Sequence, residues 1–154
     1  MKTVLIIEDD EFKANSLRDF MLSRDEFDEV KVVSSLVEAI DAINAERYKF
    51  ILIDMAIPSH PLKIGGGTPI SLLTGGIEVL LELNYLDRSD PCVIITQYPD
   101  IEISGQFYSL EQAKVEIEGQ LECSVMSCIE YREGDDSWKK LLEKVLNSNE
   151  HTDT

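Results

Sequence analysis

Val4-Leu5-Ile6-Ile7-Glu8-Asp9-Asp10 sets four aliphatic residues directly against three acids. Four apolar side chains without polar alternation suit a strand buried on both faces, as in a parallel sheet covered by helices. The acids then fall at the strand's carboxyl end, where α/β sheets build their sites. The same arrangement recurs along the chain: Phe50–Ile53 runs into Asp54, Cys92–Ile95 into Thr96, and a weaker run, Val125–Ile129, into Glu130. Val30–Val33 makes a fifth candidate strand.

Helical patterns separate these runs. Leu36, Ile40 and Ile43 recur at helical spacing behind Ser35 and Glu38, which match a capping box. Leu110, Ala113, Ile117 and Leu121 repeat the pattern behind Ser109 and Gln112, and Trp138, Leu141, Leu142 and Val145 follow Gly134 and Asp135, a breaker and a cap. Less regular spacing predicts helices over 11–23 and 76–86. Strand and helix therefore alternate through the chain, which predicts an α/β fold with a doubly wound five-stranded parallel sheet and helices on both faces.

The predicted domain spans 1–147, followed by a flexible tail at 148–154, with insertions near 59–74 and 99–108. The first insertion, which directly follows Pro58, holds Gly65, Gly66, Gly67, Pro61 and Pro69, but no Lys-Ser/Thr ending of a nucleotide P-loop, so it reads as a mobile loop. In the second, Ile101 and Ile103 flank Glu102, and Ser104-Gly105 suits the turn of a small hairpin.

Composition narrows the partners. The 154 residues carry 30 Asp and Glu against 14 Lys and Arg, a formal charge of -16 that repels nucleic acid and anionic membrane surfaces. With 44% apolar residues the chain has material for one core. No apolar stretch nears the ~20 residues of a membrane span, and the apolar run in MKTVLIIEDD is too short for a signal-peptide core. Cys92, Cys123 and Cys128 then read as reduced thiols of a cytoplasmic protein. Without a CxxC pair, and with only His60 and His151 as nitrogen ligands, they make a poor zinc site.

Glu8, Asp9, Asp10 and Asp54 converge at one sheet edge if the first and third strands are neighbours. Such a cluster repels itself unless a cation neutralises it, and an all-oxygen set with room for water selects Mg²⁺ or Mn²⁺. Acids at strand ends are otherwise solvated or cap the next helix, an alternative that weighs evenly for Asp10. The Thr96 hydroxyl, at the end of its own strand, faces the same edge.

Together, VLIIEDD, ILIDMAIP, VIIT at the end of the fourth strand (Val93–Thr96) and the Trp-bearing last helix resemble the receiver domain of two-component response regulators over nearly the whole chain. The resemblance implies the flavodoxin-like strand order 2-1-3-4-5. It implies that Asp54 is the phosphoacceptor, that Glu8 and Asp9 hold Mg²⁺ together with Asp54 and the Ala56 carbonyl, and that Thr96 is the switch hydroxyl. The family also places a Lys at the end of the fifth strand, to pair with the aspartyl phosphate. Here Glu130, then Tyr131, occupy those positions, and Ser127 stands where the family has an aromatic switch residue. An anion at that position opposes the phosphate by roughly 1–4 kcal/mol at about 4 Å. Arg132 and Lys63 are the cations considered as replacements.

The resemblance implies a single-domain response regulator in a phosphorelay, not a classical enzyme, which takes its phosphoryl group from a histidine kinase or phosphotransfer protein. It would signal to a downstream protein partner through the fourth helix, fifth strand and fifth helix, with room for a homodimer and no direct contact with nucleic acid or membrane. The alternative is a receiver-like adaptor that works without phosphorylation. An aspartyl-phosphate hydrolase would need a second Asp where Ala56 stands, and a flavin carrier would meet repulsion from Glu8, Asp9 and Asp10.

Overall fold

In a computed structural model, which describes residues 1–59, 71–72 and 75–152, the elements run β1 (Thr3–Ile7), α1 (Glu11–Leu22), β2 (Glu29–Val33), α2 (Leu36–Ala45), β3 (Phe50–Ile53), β4 (Ile57–Pro58), β5 (Ser71–Leu72), α3 (Gly75–Tyr85), β6 (Cys92–Thr96), β7 (Asp100–Ile103), β8 (Gln106–Ser109), α4 (Leu110–Leu121), β9 (Ser127–Glu130) and α5 (Ser137–Thr152). Five strands form a parallel sheet in the order β2-β1-β3-β6-β9, the doubly wound order 2-1-3-4-5.

Strand alternation divides the core into two layers. Leu5, Ile7, Ile51, Ile53 and Ile94 point to the side covered by α2, α3 and α4, while Val4, Ile6, Leu52, Val93 and Ile95 meet α1 and α5 on the other. Every residue of β1, β3 and β6 is buried, which is why these runs show no polar alternation. Edge strand β2 is mostly exposed and carries Glu29 and Lys31.

The helix stripes shift from their expected positions. On α2 the deepest residues are Ala39, Ala42 and Ile43, with Leu36 and Ile40 half-buried, because small alanines let the helix approach the sheet closely. On α5 the buried line is Trp138, Leu142 and Leu146, while Leu141 is exposed and Val145 half-buried. That helix also continues to Thr152, past the expected boundary at 147, since no Gly or Pro interrupts it. Ser35 and Ser109 cap as expected, accepting from the backbone N–H groups of Glu38 (3.2 Å) and Gln112 (3.3 Å).

The second insertion is the expected hairpin. β7 and β8 pair antiparallel, and Ser104 (φ 53°) and Gly105 (φ 82°) both adopt the left-handed conformation of a two-residue turn. Ile101 and Ile103 anchor it in the core beside Ala113 and Ile117 of α4. Of the first insertion, β4 and β5 pair antiparallel through Ile57–Leu72 and Pro58–Ser71. Lys63 and Gly65–Gly67 lie outside the described residues.

Candidate functional site

The carboxyl ends of the three central strands carry the site. Sheet hydrogen bonding runs one residue past the strands: the Glu8 N–H donates to Val33 O (2.9 Å) and the Asp54 N–H to Ile7 O (3.0 Å). Both acids are therefore fixed at the sheet edge, and both are 2% exposed. Carboxylate oxygens of Glu8, Asp9 and Asp54 can all lie within 4.8 Å of one another, so the cluster expected from sequence is assembled by the order β2-β1-β3. Asp10 does not join it. Its side chain caps α1, accepting from the Lys13 backbone N–H at 3.2 Å, and its own N–H donates to Glu8 Oε2 at 3.0 Å.

On the neighbouring strand Thr96 is completely buried, and its Oγ1 accepts from the Tyr98 N–H at 3.3 Å, which leaves the hydroxyl proton free to donate. Thr96 registers with Glu130 across β6 and β9, so Glu130 does stand at the end of the last sheet strand. Arg132 pairs with Glu130 at 3.1 Å, its own side chain 68% exposed. It neutralises the glutamate at the surface instead of replacing the missing cation in the pocket.

A buried cation does stand in the pocket: Lys13, which sequence reasoning passed over. Lys13 is 1% exposed on the buried face of α1. Its Nζ lies 2.5 Å from Glu8 Oε1 and 3.2 Å from Asp54 Oδ1. It also donates to Ile95 O and Gln97 Oε1, each at 2.8 Å. The two carboxylate oxygens face the ammonium as ion-pair partners but accept no hydrogen bond of good geometry. Burial pushes Glu8 up to about 8, against the pull of Lys13 and with added repulsion from Asp54. Burial likewise raises Asp54, opposed by Lys13 and reinforced by Asp9. A pocket that keeps under-partnered anions out of water is a ready receptor for further positive charge.

Gly75 and Gly76 open α3 against this edge, one residue before the expected helix start at 76. A Cβ on Gly76 would lie 2.8 Å from Met55 Sδ and 2.9 Å from Asp54 O, so only glycine lets the helix start directly beside the Asp54 loop. The thiols play no part. Burial drives Cys92 and Cys128 up to about 12, well away from metal-binding thiolates. No helix among the described residues is long and apolar enough to cross a membrane.

No family model matches the chain. The Detocs response regulatory protein DtcB of Vibrio alginolyticus is 32% identical over 148 residues, which cover 94% of this chain and 99% of that protein. Among solved structures, the receiver domain of a LuxO-type repressor from Vibrio parahaemolyticus superposes with a TM-score of 0.64 at 20% identity, covering 99% of this chain and 95% of that one. The CheX–CheY–BeF3–Mg²⁺ complex of Borrelia burgdorferi gives 0.65 at 15% identity, covering 96% and 87%. The chain belongs to the response regulators of two-component signalling and carries their receiver fold.

Proposed function

We propose that Asp54 accepts a phosphoryl group from a histidine kinase or phosphotransfer protein in a Mg²⁺-dependent reaction, and that the phosphorylated form signals to a protein partner. The observation that carries this reading is Asp54 itself: a buried carboxylate at a strand end, with an oxygen that meets the Lys13 ammonium at 3.2 Å but accepts no hydrogen bond of good geometry. In the reaction an Asp54 oxygen forms the new O–P bond as the donor's P–N bond breaks, and the electron pair returns to the donor imidazole. The donor set fits a hard divalent cation, all oxygen and clustered, and Glu8, Asp9, Asp54 and the Ala56 carbonyl would hold it. Bound there, Mg²⁺ would offset the repulsion between the carboxylate nucleophile and the phosphoryl oxygens. The Thr96 hydroxyl, with its proton free, is suited to donate to a phosphoryl oxygen on Asp54.

The output face on this reading is α4, β9 and α5, where Val115 of α4 and Leu141 of α5 leave apolar surface exposed. A cytoplasmic location accords with a kinase donor, and a homodimer through that face is compatible with it. A second reading, an adaptor working without phosphorylation, is favoured by Glu130 at the strand end beside Thr96. One experiment separates the two. Incubation with a small acyl-phosphate donor and Mg²⁺ should add one phosphoryl group to the intact protein, and neither Asp54→Asn nor removal of Mg²⁺ by chelation should allow it. A mass unchanged under every donor would favour the adaptor.

A further inference from the structure

We propose that Lys13 is the phosphoryl-binding cation of this receiver, delivered from α1 instead of from the end of the last sheet strand. The proposal rests on Asp54 being the phosphoacceptor. A lysine is almost never fully buried unless it is paired, and Lys13 is buried where charge is about to be added. An ammonium has three N–H donors. Two are committed to Ile95 O and Gln97 Oε1, which fix Nζ to the strand end that carries Thr96. The remaining one faces two carboxylate oxygens, Glu8 Oε1 and Asp54 Oδ1, and neither receives a well-aligned bond from it.

Phosphorylation would convert Asp54 from a carboxylate into an acyl phosphate, whose added negative charge and terminal oxygens are strong acceptors. The Lys13 ammonium, 3.2 Å from Asp54 Oδ1, then exchanges its poorly aligned share of the carboxylates for a phosphoryl oxygen. No other described cation is placed for this, since Arg132 is at the surface on Glu130.

The seat of Lys13 also links the pocket to the output face. Its Nζ lies 5.6 Å from the centroid of the Tyr131 ring, and Tyr131 packs on Trp138 with ring centroids 5.4 Å apart. Tyr131 directly follows Glu130, and Trp138, the single tryptophan, begins the buried line of α5. Movement of Lys13 toward a phosphoryl group therefore alters the surroundings of Tyr131 and, through it, of Trp138.

The test compares wild type, Asp54→Asn, Lys13→Gln and Lys13→Gln/Glu130→Lys, each first checked for folding by circular dichroism and thermal unfolding. All receive a small acyl-phosphate donor and Mg²⁺. Lys13→Gln should slow phosphoryl incorporation about tenfold or more, and should lose the change in Trp138 fluorescence that accompanies phosphorylation of wild type. Returning a cation at Glu130→Lys should recover much of the rate, which a merely structural role for Lys13 does not predict. A folded Lys13→Gln protein with wild-type rate and lifetime overturns the proposal while Asp54 remains the acceptor. A wild type that takes no phosphoryl group overturns both. Should the substitution prevent folding, the Lys13 side-chain ammonium resonance of wild type decides: it shifts on phosphorylation, or the proposal fails.

Discussion

The two ends of the sheet handle buried charge in opposite ways. Beneath the amino end of β6, Arg88 and Asp90 form a satisfied pair: the guanidinium donates to Asp90 Oδ1 at 2.8 Å and Oδ2 at 2.7 Å, and also to Ile43 O and Glu46 O. Asp90 further accepts from the Tyr48 N–H at 2.8 Å. Although burial opposes it, this bonding holds the Asp90 carboxyl below its ordinary range. At the carboxyl end, Glu8 and Asp54 share a single lysine and both are pushed upward. The first end stabilises the fold, and the second leaves anions under-partnered, which on the proposed function readies them for a cation and a phosphoryl group.

The sharpest way to break this comparison is at the satisfied end. Asp90→Asn should lower stability by about 3 kcal/mol, because it leaves a buried guanidinium short of its counterion. Denaturant unfolding should show that loss while phosphoryl incorporation per folded molecule stays unchanged; a lost phosphorylation rate would mean the two ends are not separate. Gly76→Ala comes next. Its Cβ would meet the Asp54 carbonyl at 2.9 Å, so about 2 kcal/mol of overpacking is expected together with slowed phosphorylation. A fully active, undiminished protein would show that α3 can simply move aside.

At the poised end the sign reverses. Glu8→Gln should raise the stability of the metal-free protein by about 1 kcal/mol above pH ~8, where the carboxylate is charged, and weaken Mg²⁺ binding. A destabilised variant would contradict the claim that this cluster is under-neutralised. The smallest effect is in the pH profile. The unfolded chain releases the Glu8 proton near 4.5 and the folded protein holds it to about 8, so Glu8 makes metal-free stability decline with rising pH across that window. Asp90 contributes the opposite slope, stability present above its ordinary 3.8 and lost as pH falls below it. Asp90→Asn should flatten only the acid limb and Glu8→Gln only the decline toward pH 8.

The sheet was legible because β1, β3 and β6 are buried on both faces and advertise it as unbroken aliphatic runs. Glu8, Asp9, Asp54 and Thr96 were legible for the same reason: each ends or follows such a run. Helix faces were harder, since Ala39 and Ala42 are buried yet carry little hydrophobic signal beside Leu36 and Ile40. Lys13 was not legible at all. A lysine early in an irregularly patterned helix reads as solvated, and its carbonyl partner Ile95 lies 82 residues away. Only the packing of α1 against β1 and β2, which carries the Lys13 ammonium to Ile95 O near the end of β6, turns that lysine inward. Its presence also changes the meaning of Glu130, which can be an anion at the strand end because Arg132 neutralises it outside and Lys13 supplies the pocket from another element.

The central claim is that one buried carboxylate, Asp54, is the group this pocket exists to modify. Borohydride reduction of the phosphorylated protein converts an aspartyl phosphate to homoserine, and peptide mass spectrometry then locates it. The account predicts homoserine at position 54 alone, formed only with donor and Mg²⁺. Homoserine at Asp9 or Asp10, or none in a protein that remains folded, would contradict it.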